Sequence, residues 1–369
     1  MSEAARVLIV DDSRIFRGAI EEAVRGQDGL AVAGSVFSGQ KALDFIREHP
    51  PDIVTLDVEM PGMNGLETLQ AIQEINRTRT PATQIGVLMV SAFTKRGAEV
   101  TVQALQAGAF DFVTKPSGAS SEACQAALRE DLLPKIHAFL TRRNQIASRT
   151  INWNIGAKAP RPRPTGTSGV RATRTSGVVL IGASTGGPQA LSKLLPDLTS
   201  RIDAPVLIVQ HMPAGFTQSL ANSLARVCSW PVVEAQDNDT IVARTIYIAP
   251  GGRHMVVRSS SAGQRLTGLT DQPPESGCRP SASVLFRSAA AIYGPDAVAV
   301  VLTGMGNDGT AGLGPLKRAG GSVIVQDEES SVVWGMPGSV VAANLADLVV
   351  PLDAIGAEVE AATVRRGRS

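Results

Sequence analysis

Two stretches of this chain alternate short apolar runs with amphipathic segments of helical period, and that alternation most restricts its fold. In the first stretch, apolar runs predict strands at residues 7–10, 31–36, 53–56, 87–90 and 110–113. The segments between them predict helices at 14–24, 40–47, 66–75 and 98–107, with a last helix at 122–140. Strands separated by helices pair in parallel through right-handed crossovers. The second stretch follows the same plan. Strands are expected at 178–181, 206–209, 245–249, 297–302 and 322–325, and helices at 189–195, 217–227, 281–293 and 314–319. Several of these strands are apolar at every position, as in a parallel sheet covered on both faces. The expected fold class is therefore α/β, with two doubly wound parallel-sheet domains.

Between the stretches the alternation stops. Residues 142–176 carry Arg142, Arg143, Arg149, Lys158, Arg161, Arg163, Arg171 and Arg174, and no acidic residue. The segment includes Pro160-Arg-Pro-Arg-Pro164 and many Thr, Ser and Gly. It has little apolar surface to bury and reads as an extended linker, or else as a basic arm for an acidic partner. The expected organisation is a first domain at 1–141, a linker at 142–176, a second domain at 177–360 and a basic tail at 361–369.

Composition narrows the function classes. A hydrophobic fraction of 43% supports folded cores rather than a disordered chain. A net charge of +1, without a helix-turn-helix pattern, argues against a nucleic-acid partner. No run approaches the roughly 20 apolar residues of a membrane span, so no membrane insertion is expected. Cys124, Cys228 and Cys278 are far apart and form no C-x-x-C pair. That argues against a disulfide framework or zinc site and fits a reducing cytoplasm.

Polar residues follow four of the first five strands. Asp11 and Asp12 follow the first, Asp57 the third, Ser91 the fourth and Lys115 the fifth. A parallel sheet gathers such strand-end residues into one crevice. Carboxylates packed together repel, and a hard divalent cation such as Mg²⁺ relieves that repulsion through oxygen ligands. A carboxylate beside Mg²⁺ and Lys115 can attack a phosphoryl donor, because both cations neutralise the phosphoryl oxygens. Ser91 can then bond the new phosphoryl group.

In the second domain Gly182-Ala-Ser184-Thr-Gly186 fits G-x-S-x-G between a strand and the helix opened by Gly187-Pro188. A sharp turn there exposes the Ser184 hydroxyl beside free backbone N–H groups and a helix N-terminus. A Gly-rich turn of this kind can equally hold a phosphate or simply allow tight packing. A nucleophilic serine needs a base, and both His211 and His254 follow strands of this domain. Asp308, in a Gly-rich loop, is the best orienting acid; Asp327 competes, and Asp237 and Asp239 read as loop residues. No suitable histidine follows Asp308, so the chain order of common lipases and esterases is excluded.

The segments VLIVDDSRIFR, VTLDVEMPGMNGLE, SAFTKRGAEV and FDFVTKP resemble the response-regulator receiver domain. VVLIGASTGGPQAL, PVLIVQHMPAGFT, IYIAPGGRHM, CRPSASVLFRSAA, VVLTGMGNDGTAGL and QDEESSVVWGMP resemble the CheB family of protein-glutamate methylesterases. The resemblance implies a flavodoxin-like receiver followed by a Rossmann-like α/β methylesterase domain. It implies phosphorylation at Asp57, with Asp11, Asp12, Asp57 and the Glu59 backbone carbonyl holding Mg²⁺. Ser91, Phe112 and Lys115 would form the switch, and Lys115-Pro116 matches a motif whose peptide bond is commonly cis. It selects Ser184 as nucleophile, His211 as base and Asp308 as orienting acid, with the N–H groups of Thr185 and Met305 as oxyanion hole. Cys278 and Ser283 depart from the family pattern, which carries His and Asp there.

The implied function is phosphorylation-regulated hydrolysis of glutamate γ-methyl esters on chemoreceptors in chemotaxis. Methanol is released, glutamine deamidation is a companion activity, and ester hydrolysis needs no cofactor. The implied partners are methylated chemoreceptor cytoplasmic helices and a chemotaxis histidine kinase, in the cytoplasm. The unphosphorylated receiver is expected to pack over the hydrolase rim. The competing reading is a phosphorylation-switched binding module without enzymatic activity.

Overall fold

The computed structural model describes residues 4–116, 121–152 and 177–365. The first domain runs β1 (Ala5–Val10), α1 (Arg14–Val24), β2 (Leu30–Val36), α2 (Gly39–Glu48), β3 (Ile53–Asp57), α3 (Gly65–Asn76), β4 (Gly86–Ser91), α4 (Lys95–Gln106), β5 (Asp111–Thr114) and α5 (Ser121–Asn152). Its five strands are all parallel, in the order β2-β1-β3-β4-β5. Val7, Leu8, Ile9, Ile53, Val54 and Leu88 are fully buried, because helices cover both faces of the sheet. Ile20 and Val24 of α1 and Leu128, Leu132 and Ile136 of α5 close one face. Leu43, Leu69 and Val102 of α2, α3 and α4 close the other.

Helix α5 continues well past residue 140. Arg142 and Arg143, assigned from composition to the linker, are helical. Arginine is a good helix former, and Arg143 is anchored by a 2.5 Å ion pair to Asp52. The remainder of the expected linker, from 153 to 176, lies outside the described residues, as does the tail from 366.

The second domain runs β6 (Val178–Ala183), α6 (Gly187–Arg201), β7 (Val206–Gln210), α7 (Phe216–Leu224), β8 (Val232–Glu234), β9 (Ile246–Ile248), β10 (His254–Ser259), β11 (Arg265–Thr270), α8 (Ala282–Tyr293), β12 (Ala297–Val301), α9 (Thr310–Arg318), β13 (Ser322–Gln326), α10 (Met336–Ala342), β14 (Leu348–Val350) and α11 (Leu352–Arg365). Seven parallel strands order as β14-β13-β12-β6-β7-β9-β8, and β10-β11 is an antiparallel hairpin beside them. Every residue of β6, β7 and β12 is buried, which is why these runs lack alternation.

Register decides what meets at the sheet rim. Ala183 pairs with Gln210, so the next residues, Ser184 and His211, emerge side by side. Val301 pairs with Gly182, which brings the loop after β12 to the same end. Strand β6 lies between β12 and β7, a point where the chain reverses direction across the sheet. Such switch points open a crevice at the strand carboxyl ends.

The two domains touch through α4 and β5 on one side and α6 and α7 on the other. Phe112 stacks on Phe216, with ring centroids 4.8 Å apart. Gln106 donates to Ser192 Oγ at 2.8 Å and accepts from Ser223 Oγ at 2.7 Å. Asp111 accepts a hydrogen bond from the Thr185 hydroxyl. Apolar residues of both domains join one continuous cluster.

Candidate active site and acidic pocket

In the first domain, β1 and β3 place Asp11, Asp12 and Asp57 so that one carboxylate oxygen from each lies within 4.8 Å of the others. Lys115, after β5, sits 2.7 Å from Asp11 Oδ2 and 2.8 Å from Asp57 Oδ2. Burial pushes the Asp57 carboxyl up to about 6; Lys115 opposes that shift and Asp11 reinforces it. Burial works to lower the Lys115 pKa, but its bonds to Asp11 and Asp57 outweigh this and raise it. Three hard oxygen donors with surplus negative charge suit Mg²⁺. Bound there, the cation would neutralise phosphoryl oxygens.

Ser91 is fully buried at the end of β4, and Glu59 N–H donates to Asp57 Oδ1 at 3.4 Å. Phe112 faces the second domain through its stack on Phe216. The Lys115-Pro116 peptide is trans, contrary to the resemblance. Among the described residues only Arg279-Pro280 is cis.

In the second domain, the turn from β6 to α6 needs its glycines. Gly186 has φ +78°, and a Cβ at Gly187 would run into the Gln210 amide. Gln210, buried at the end of β7, donates from Nε2 to the Ser184 carbonyl at 2.9 Å. Ser184 N–H donates to Thr303 O at 3.1 Å, and Thr303 Oγ1 donates to Thr185 O at 2.9 Å. These bonds strap the turn to the β12 loop. Among the described residues the N–H groups of Thr185 and Met305 have no acceptor and remain available donors.

His211 Nε2 lies 2.8 Å from Asp308 Oδ2. Asp308 is 1% exposed and also accepts from Ser281 Oγ and from the N–H groups of Ala282, Ser283 and Gly309. Ser281, Ala282 and Ser283 lie at the N-terminus of α8 and Gly309 at the start of α9, where a carboxylate is stabilised by unpaired N–H groups and the helix dipole. Burial would raise the Asp308 pKa, but His211, Ser281 and Ser283 hold the carboxyl below the usual range. Burial would likewise lower the His211 pKa. Its bonds to Asp308 and to Cys278 prevail and push it up to about 9.

Since Nε2 is taken by Asp308, Nδ1 is the nitrogen left for proton exchange. It faces Cys278 Sγ at 3.5 Å, while the Ser184 hydroxyl makes no hydrogen bond with the described residues. Ser184, Thr185, His211, Cys278, Met305 and Asp308 all line one cavity of about 740 Å³. Asp111, Phe112, Thr114 and Lys135 of the first domain line it too.

The competing candidates are occupied elsewhere. His254 is fully buried, with Nε2 at 3.1 Å from Pro273 O and Nδ1 accepting from Ser281 N–H. Asp327 accepts from Ser330 N–H and Oγ. Asp237 accepts the N–H of Leu269 in β11, and Asp239 accepts that of Gln236. Sequence reasoning missed Gln210, Ser281 and Asp111. Gln210 carried a signal, a polar residue closing an otherwise apolar run. Asp111 carried none, since its partner Thr185 lies in the other domain.

Two doubly wound domains, one with an acidic strand-end pocket and one gathering Ser, His and Asp at a sheet rim, define a receiver-linked protein of serine-hydrolase type. Residues 179–359 match the CheB methylesterase family, and residues 7–127 match the response regulator receiver domain. A protein-glutamate methylesterase/protein-glutamine glutaminase of Desulfotalea psychrophila is 43% identical over 96% of this chain and 97% of its own length. A protein of the same name from Bacillus licheniformis is 41% identical over the same shares. The CheB methylesterase catalytic domain of Thermotoga maritima aligns at 39% identity, covering 51% of this chain and 98% of that one, with a TM-score of 0.49. The chain belongs to the CheB methylesterase family, with an N-terminal receiver domain.

Proposed function

We propose that this chain is a phosphorylation-controlled protein-glutamate methylesterase that also deamidates glutamine, acting on chemoreceptor cytoplasmic helices in chemotaxis adaptation. The observation that carries the reading is the convergence of Ser184, the His211–Asp308 pair and two free N–H groups on one cavity. Ser184 Oγ attacks the γ-ester carbonyl and passes its proton to His211 Nδ1. Asp308 holds the resulting imidazolium, and Thr185 and Met305 N–H groups receive the oxyanion. Methanol leaves with that proton. A water molecule then gives its proton to His211 and attacks the acyl-enzyme, freeing glutamate. These steps use protein groups and water.

Regulation follows from the shared cavity. The receiver, residues 1–152 with α5 included, contributes Asp111, Phe112 and Lys135 to the rim that a receptor helix must reach. Asp57 takes the phosphoryl group from a chemotaxis histidine kinase; Asp11, Asp12, Asp57 and the Glu59 carbonyl would hold Mg²⁺, which would neutralise phosphoryl oxygens. Ser91, Phe112 and Lys115 respond, and the packing over the hydrolase weakens. The hydrolase occupies 177–365, and the basic segment between is the tether. Among the described residues no helix is long and apolar enough to cross a membrane; a cytoplasmic location fits the substrate.

Methanol release from methylated receptor tests the reading. It should rise when acetyl phosphate and Mg²⁺ are added and should fall by several orders of magnitude in Ser184→Ala. A fluorophosphonate probe should label Ser184 in the intact protein. Retained methanol release in Ser184→Ala would reject Ser184 as nucleophile.

A further inference from the structure

Cys278 is held against the base rather than merely near it. Its Sγ lies 3.5 Å from His211 Nδ1, the one ring nitrogen that Asp308 leaves free. The loop that carries it is pinned. Cys278 and Glu275 exchange two backbone hydrogen bonds, Gly277 supplies φ +76°, and Glu275 is tied to Arg287. The sulfur is half-buried and lines the 740 Å³ cavity with Ser184, so a small solute in the cavity meets both.

The thiolate is the reactive form of a cysteine. His211 Nδ1, which the thiol faces, is the acceptor for its proton when the ring is neutral. Cys228 offers a contrast within the chain. It packs against the apolar core, and burial pushes its thiol up to about 11.

We propose that Cys278 is a peroxide-sensitive thiol whose oxidation to a sulfenic acid silences the hydrolase. The thiol proton passes to His211 Nδ1. The sulfur attacks one oxygen of hydrogen peroxide, an S–O bond forms and the O–O bond breaks. The departing oxygen takes the proton back and leaves as water. Sulfur is oxidised and peroxide reduced, with no other reactant. The S–OH group then stands against Nδ1, where the Ser184 proton must go. A thiol reductant restores Cys278 and releases water. The silencing part rests on the esterase reading above; the reactivity of the thiol does not.

The test uses the full-length protein treated with hydrogen peroxide and dimedone, with adducts mapped by mass spectrometry. Dimedone should mark Cys278 about tenfold or more ahead of Cys228. Methanol release should fall in step with peroxide-dependent oxidation and return with dithiothreitol when dimedone is omitted. In Cys278→Ala the fraction of activity surviving peroxide should rise toward one. A Cys124→Ser, Cys228→Ser protein, which keeps Cys278, should stay as sensitive as the parent. Adducts on Cys124 or Cys228 with Cys278 unmarked would overturn the proposal, as would full activity in protein whose Cys278 is oxidised. Untreated protein that released no methanol would instead overturn the esterase reading, while adduct mapping would still judge the thiol.

Discussion

At the scale of single residues, two histidines with similar positions in the sequence have opposite surroundings. His211 is 12% exposed and turns one nitrogen to a buried carboxylate and the other to the cavity. His254 is fully buried, and both its nitrogens meet backbone groups. His211→Ala should therefore cost about 10³-fold or more in kcat with little loss of stability. His254→Ala should cost about 1–3 kcal/mol of stability and much less activity per folded molecule. Turnover and urea unfolding on both variants check this, and the reverse ranking would assign the wrong base. In the proposed mechanism, activity also depends on His211 being neutral when Ser184 gives up its proton. With the pKa pushed to about 9, only about a hundredth of the imidazole is neutral at pH 7. We expect kcat/KM of the unphosphorylated chain to climb about tenfold per pH unit below pH 9 and then level. A flat profile from pH 6.5 upward would contradict the His211–Asp308 coupling. The same shift bears on stability. The folded value lies above the ordinary 6.5, so the stabilisation is full below pH 6.5 and is lost as pH rises through about 9.

At the scale of elements, the site is made by what terminates strands and starts helices. The β6–α6 turn sets Ser184, and the N-terminus of α8 sets Asp308, which in turn sets His211. Gly187 is the tightest point, because any side chain there meets the Gln210 amide that steadies the turn. Gly187→Ala should destabilise the protein by about 1–3 kcal/mol. It should also lower kcat by about 100-fold, since a shift of about 1 Å in the nucleophile has that effect. Urea midpoint and methanol release measure the two separately. Unchanged kcat would mean that Ser184 tolerates a displaced turn.

At the scale of the whole molecule, the receiver is part of the active-site wall. The Phe112–Phe216 stack, the Gln106 bridges and the Asp111–Thr185 bond join the receiver to the domain that carries Ser184. Thr185 directly follows Ser184, the proposed nucleophile, so a receiver carboxylate holds the residue next to it. Removing residues 1–152 should raise basal methanol release from methylated receptor. The gain should be about tenfold for each 1.4 kcal/mol of packing that kept the open form rare. A truncated enzyme slower than the unphosphorylated full chain would mean that the receiver helps hold the substrate.

The sequence alone determined the layout: apolar runs separated by helices can only pair in parallel, and polar residues at their ends must share a crevice. Hence Asp11, Asp12, Asp57 and Lys115 were legible together, as was the turn carrying Ser184. The resemblance of the motifs selected His211 over His254, a choice that periodicity left open. Tertiary structure decided the rest. The hairpin β10-β11 and the edge strands β8 and β14 were not anticipated, because short or half-exposed strands lack the buried-run signal. Helix α5 outran its expected end because Arg143 found Asp52, about ninety positions earlier in the chain. The joining of Asp111 to Thr185, and of Cys278 to His211, depends on loops and domains meeting across long stretches of chain. Such contacts leave no local pattern, since neither partner's neighbours in sequence differ for having them.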